Sequence, residues 1–312
     1  MAQARAARGH KTGLPFLGER QPWRTQEVAA LPNSVLAASS QPRRIAARGR
    51  RQPLLRGQTR QAVDCQEMAR RPVTIHLTGF GPFGGIEHNP TSIVCGALRE
   101  LVSRGEAPQG VAPELLEEFA AADIRLEGLN ALEVSASACR GEVQSILERL
   151  VGRPSGPDAS AEPCAVIHLG VSSMCKEVNL ECRGFNVADF RIPDVQGWQP
   201  SGEPVVPQAE PQLFTALRLP EILGELHDRG VRSAISTDAG RYICNYIFYS
   251  SLHAARPAGI PVLFVHVPSF EAMEQAVQVT AVLCILLAVA RQLRGDNGGL
   301  SPAAVATSKP LG

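Results

Sequence analysis

Three short apolar runs constrain this chain more than any other feature. Val73–Thr78 (VTIHLT) runs into a Gly/Pro cluster, Ala165–Leu169 (AVIHL) stops at Gly170, and Pro261–Val267 (PVLFVHV) stops at Pro268. Runs this short and this apolar read as strands covered on both faces. Segments with helical spacing separate them, so the chain reads as an α/β fold with a largely parallel sheet. Helices are predicted from Asn89-Pro90, where Pro stands near the first helical position, to about Ser103, and over Gly141–Val151, Pro220–Asp228, Arg241–Ala255 and Glu271–Leu293. A further strand is predicted over Val231–Ser236, an extended or hairpin segment over Glu177–Val187, and loop leading to a weak helix over Gly105–Glu117.

The formal charge of +1 hides two different materials. Residues 1–72 carry 13 Arg and one Lys against three Glu and one Asp, a net +10, and the remainder carries −9. The first segment has no sustained period and reads as a disordered basic extension. Its richness in Arg and poverty in acids also fit an organelle transit peptide, and it lacks the interleaved aromatics of an RNA-binding tail. Residues 73–297 read as one domain and 298–312 as a flexible tail. The eight cysteines include no C-x-x-C pair, which excludes a zinc ribbon or a thioredoxin-type motif. The longest apolar stretch, Thr280–Ala290, falls short of the roughly 18 residues of a membrane span and reads as a buried helix. Nucleic-acid and membrane partners are therefore not expected, and the predicted compartment is the cytosol.

Four features could carry chemistry. Gly79-Phe80-Gly81-Pro82-Phe83-Gly84 formally matches a dinucleotide fingerprint, but Pro82 has no N–H for a phosphate and no helix follows at once. Its two phenylalanines suit an apolar pocket wall better than an oxidoreductase's cofactor turn. Cys244 stands in the first turn of a predicted helix, where free N–H groups and the helix dipole favour a thiolate. A cysteine there is also common as a small buried residue. His266 ends a buried strand, and adjacent crossover units would bring it to the same sheet rim as Cys244. Glu181 could orient such an imidazole, or could be a solvated carboxylate.

In combination these segments resemble the pyroglutamyl-peptidase I family of cysteine peptidases. The resemblance runs in order through TGFGPFGG (Thr78–Gly85) with Asn89-Pro90-Thr91-Ser92, His168–Ser172, Glu181–Asn186 with Arg191–Asp194, Ser236–Ser250 (STDAGRYICNYIFYS) and FVHVP (Phe264–Pro268). It spans about Val73–Pro268 and is loose over Gly105–Gly141. It implies a three-layer α/β/α sandwich and a catalytic trio of Glu181, Cys244 and His266. It places an apolar wall for the substrate ring on Phe80, Phe83, Ile192, Tyr242 and Ile243, with Arg191 beside the oxyanion. The implied substrates are N-terminally pyroglutamylated peptides, with no metal and no cofactor; oligomeric state is left open. Two positions depart from the family pattern. Val171 stands where many members carry Gln, which is expected to remove a polar contact. Val195 stands in place of an Asn and is expected to loosen its loop. These departures keep open a second reading, a catalytically weak or inactive paralogue that binds peptides.

Overall fold

The computed structural model describes residues 71–151 and 162–295, so the readings of the basic extension, the C-terminal tail and most of the Gly152–Pro163 loop lie outside the described residues. The first apolar run forms strand β1 (Val73–Phe80), buried along its whole length. Helix α1 (Pro90–Arg104) starts where Asn89 accepts the Thr91 N–H through Oδ1 at 3.1 Å, and it ends at Gly105. Helix α2 (Pro113–Ala121) and strand β2 (Ile124–Leu132) follow. Next come α3 (Ala136–Val151), β3 (Cys164–Val171), β4 (Val178–Glu181) and β5 (Arg183–Phe185). The chain closes with β6 (Gln212–Phe214), α4 (Leu219–Asp228), β7 (Ser233–Ser236), α5 (Ile243–Ala255), β8 (Val262–Val267) and α6 (Gln275–Arg294).

Six strands make the central sheet in the order β2-β1-β3-β8-β4-β7. The first four are parallel, whereas β4 runs antiparallel to β8 and parallel to β7. β5 and β6 pair separately as a small antiparallel ribbon. Alternation along β1 sends Val73, Ile75 and Leu77 to one face, where they pack with α1, α2, α4 and α6. On the other face α3 and α5 pack over Phe80, Val166 and Phe264. The chain is thus an α/β/α sandwich. α6 is long and apolar enough to cross a membrane by length and composition, yet 72% of that apolar window is buried in the domain. It is a core helix.

Strand β2 is absent from the sequence-based expectation, and its pattern explains why. The register with β1 slips between Leu77 and Thr78, beside Gly128 (φ +79°) and Leu129 (φ +53°). That bulge breaks the alternation by which a strand is read. A Cβ at Gly128 would stand 2.6 Å from Nε2 of His76, so the bulge also makes room for a buried ring.

The α3/α5 face of the sheet carries two fully buried histidines. His76 bonds Glu142 of α3 at 2.8 Å. His168 lies between Thr78 Oγ1 (2.7 Å from Nδ1) and Ser251 Oγ (2.8 Å from Nε2), joining β1, β3 and α5. Burial, reinforced by repulsion from His76, pushes His168 down to about 3. A free histidine titrates near 6.5, so between those values the unfolded chain binds a proton that the folded chain refuses. Stability should therefore fall as pH drops from about 6.5 toward 3, at up to about 1.4 kcal/mol per pH unit from this group. In urea melts, His168→Gln should start less stable but lose less stability across that window. Curves parallel to wild type would show that another group sets the acid limb.

Candidate active site

The nucleophile candidate reaches the site by a different route from the one expected. β7 runs opposite to β8, so the two are not adjacent parallel crossover units. The loop Thr237–Tyr242 instead carries the chain back, and α5 begins against the C-terminal end of β3. This loop is tied down: Arg183 donates to Thr237 O at 2.9 Å, and Gly240 N–H donates to Asp238 Oδ1 at 3.0 Å. Cys244 is the second residue of α5, and no side chain caps that helix start. The first intrahelical acceptor is Tyr242 O, bonded by Tyr246 N–H, so the amides of Ile243, Cys244 and Asn245 precede the ladder. They point positive dipole at the thiol.

His266 and Glu181 meet across the β4–β8 pair. Asn179 stands opposite His266 and Glu181 opposite Phe264, so Glu181 and His266 are diagonal neighbours on one face. That separation suits a long side chain. The Nδ1–H of His266 donates to Oε1 of Glu181 at 2.7 Å, which leaves Nε2 as the ring nitrogen available to Cys244. Both partners are buried, His266 at 7% and Glu181 at 1% exposure. Burial alone would lower the His266 pKa. The Cys244 thiolate and the Glu181 carboxylate outweigh it and push His266 up to about 10. The imidazolium form of His266 is thereby favoured beside the Cys244 sulfur. Gly170 makes the approach possible: a Cβ there would stand 2.6 Å from Phe264 Cζ and 3.1 Å from Cys244 Sγ.

Beside the thiol is a pocket lined by Phe80, Phe83, Asn89, Val134, Val171, Tyr242 and Ile243. Five of these residues were singled out from the sequence. Asn89 enters the sequence reading as a helix start and as part of the family signature, with no pocket role, and Val134 carries no signal. The Gly79–Gly84 turn is stapled to α1 by Phe80 N–H donating to Thr91 Oγ1 (2.8 Å) and Asn89 Nδ2 donating to Gly81 O (3.0 Å). Asn89 also occupies the Thr91 amide, so the turn is built as a wall and not as a phosphate cradle. Arg191 and Ile192 lie outside the pocket lining and are exposed, Ile192 at 50%. The reason is local. Phe190 turns inward against Tyr242 (4.9 Å between centroids) and Trp198 (5.2 Å), and this rolls the next two residues outward.

Val195 does not loosen its loop. Its N–H donates to Val134 O at 3.1 Å, and the Asp194 carboxylate accepts the N–H groups of Ala136, Gln196 and Trp198. Val171 contributes more than its side chain. Ser172 N–H donates to Val267 O of β8, so by alternation the N–H and C=O of Val171 face β1. The β1–β3 register ends at Thr78–His168. Where the next rung would stand, Phe80 directs both its N–H and its C=O to Thr91 Oγ1. The strands fork there, and a backbone donor and acceptor stand side by side at the pocket.

A pyroglutamyl peptidase family model matches residues 157–292, which include Glu181, Cys244 and His266. The pyrrolidone-carboxylate peptidase of Pyrococcus furiosus is 31% identical over 194 residues, covering 62% of this chain and 79% of that enzyme. The chain belongs to the pyroglutamyl peptidase family. The Chromobacterium violaceum pyrrolidone-carboxylate peptidase is 33% identical over 207 residues, covering 66% of this chain and 81% of the relative. Among solved structures, a pyrrolidone carboxyl peptidase variant from P. furiosus superposes with TM-score 0.56 at 28% identity, covering 70% of this chain and 99% of that one. The Thermus thermophilus enzyme gives 0.51 at 28% identity, covering 68% and 98%.

Proposed function

We propose that this chain is a cysteine exopeptidase that removes N-terminal pyroglutamate from peptides. The observation that carries the reading is the buried Glu181–His266 pair beside the half-buried Cys244, opening onto an apolar pocket with an amide-shaped edge. A pyroglutamyl ring is flat and neutral, and its lactam N–H and C=O lie on one side. The Val171 backbone would accept from that N–H and donate to that C=O, while Phe80, Phe83 and Tyr242 cover the ring. This backbone pairing supports activity despite the missing Gln side chain.

Cys244 Sγ attacks the carbonyl that follows the ring, and the oxyanion forms at the N–H groups that open α5. His266 passes its Nε2 proton to the leaving amine as the C–N bond breaks, giving a thioester on Cys244. The imidazole then takes a proton from water, the hydroxide attacks the thioester, and 5-oxoproline leaves as the thiolate is restored. Glu181 keeps Nδ1 protonated throughout and so keeps Nε2 aimed at sulfur. We assign the enzyme to the cytosol, where buried thiols such as those of Cys95, Cys139 and Cys284 stay reduced.

The direct test compares aminomethylcoumarin amides of pyroglutamate and of proline under reducing conditions. The prolyl ring has the same size but carries a protonated amine, and the pocket lining offers it no carboxylate. Release from the pyroglutamyl amide, with at least about 10²-fold lower kcat/KM for the prolyl amide, is the expected result. Absence of release from the pyroglutamyl amide by folded protein would sink the peptidase reading and favour a peptide-binding paralogue.

A further inference from the structure

The uncapped start of α5 raises the question of what fixes Cys244 in place. Its neighbour Asn245 is completely buried and points away from the pocket, into the segment that continues from the Glu181 strand. Its Oδ1 accepts the Phe185 N–H at 2.8 Å, and its Nδ2 donates to Phe185 O at 2.9 Å and to Val187 O at 3.0 Å. One planar amide thus spends an acceptor and two donors on three main-chain groups, as a neighbouring strand would. The same segment also meets the end of β7 on one side of this contact and the nucleophile loop on the other. Cys182 N–H donates to Ser236 O and Asp189 N–H to Arg241 O. The Phe185 ring lies beneath the guanidinium groups of Arg241 (3.9 Å) and Arg183 (4.8 Å).

We propose that Asn245 is a positioning residue that locks the Cys244 helix start to the segment continuing from Glu181, so that thiol and carboxylate hold one geometry about His266. This rests on the peptidase reading for its kinetic consequence but on hydrogen bonding alone for its geometry. No other side chain fits the same three groups. Asp offers no donor and would set a carboxylate against two carbonyl oxygens. Gln carries the amide one methylene too far, and Ser and Ala leave carbonyls unanswered. Phe80, Phe83 and Val171 belong to other elements, so the ring pocket should survive the change.

Asn245→Ala, Asn245→Ser and Asn245→Asp are compared with wild type by three measurements. These are the thermal midpoint, kcat and KM on the pyroglutamyl amide, and the rate of Cys244 alkylation by iodoacetamide at pH 6. A shift of about 1 Å in a reacting group costs on the order of 10²-fold in rate. The expected result is a folded variant with kcat down about that much, KM within about threefold, and slower alkylation of Cys244. A folded variant with wild-type kcat and wild-type alkylation would overturn the proposal. Failure of all three variants to fold would overturn it too, by making Asn245 a purely structural residue. If wild type releases no amine, the peptidase reading fails, and the alkylation rates alone still decide the role of Asn245.

Discussion

Cys244→Ala should fold like wild type and lose turnover of a pyroglutamyl amide by at least about 10⁴-fold in kcat/KM, by analogy with removal of other triad nucleophiles. The residual rate would come from the pocket and the α5 amides, which the substitution leaves in place. Little stability should be lost, because Cys244 is only half-buried at a pocket edge. The same variant identifies the reactive thiol. Burial raises Cys95 to about 12, Cys284 to about 11 and Cys139 well above the ordinary thiol value; it also raises Cys182. Those thiols stay protonated at pH 6, whereas the His266 imidazolium stands beside Cys244. Iodoacetamide labelling of Cys244 at pH 6 should therefore outpace that of these four thiols in wild type and vanish in Cys244→Ala. Amide hydrolysis persisting in Cys244→Ala would transfer the chemistry to another group.

The parts of this fold that could be read from sequence are those governed by short-range rules. β1, β3 and β8 announce themselves because strands buried on both faces must be continuously apolar. The first helix is legible because Asn89 and Pro90 sit at adjacent positions with defined capping roles. What was not legible depends on residues far apart in the chain. Helix α3 starts at Ala136 and not Gly141, because the carboxylate that receives its first amide belongs to Asp194, 58 residues on. The reversal of β4 and β7 leaves no trace in strands only four residues long.

The site shows the same division. Cys244, His266 and Glu181 carry local signatures, namely a helix start, a strand end and a family pattern. Their meeting, however, depends on an antiparallel strand pair and a clamped return loop rather than on parallel crossovers. Val171 illustrates a limit of reading side chains. As a substitution it looks like a lost polar contact, while its backbone pair at the strand fork is independent of residue type. Arg191 and Ile192 illustrate the converse: a motif match places them at the site, but the inward turn of Phe190 faces them outward.

Glu181→Gln should lower kcat by about 10²–10⁴-fold and move the alkaline limb of kcat/KM to lower pH. The two effects have separate causes. Glutamine presents either an oxygen or an NH₂ group to Nδ1 of His266. If it presents NH₂, Nδ1 becomes the acceptor and Nε2 carries the proton of a neutral ring, the wrong tautomer for taking a proton from the thiol or from water. If it presents oxygen, its NH₂ group fills the place of Oε2, a buried atom that has no hydrogen-bond partner among the described residues. Either way the carboxylate charge is gone, and it is one of the forces that raise His266 to about 10. The sign for stability follows from that raised value. A histidine that titrates higher in the folded chain than in the unfolded one stabilises the fold fully below about 6.5, and the contribution fades as pH rises through about 10. Glu181→Gln should therefore shrink the fall in wild-type stability between those values, as read from urea midpoints at pH 6 and pH 10. An unshifted alkaline limb in a folded Glu181→Gln variant would show that the thiolate alone sustains the imidazolium, and would reduce Glu181 to a steric prop for the ring.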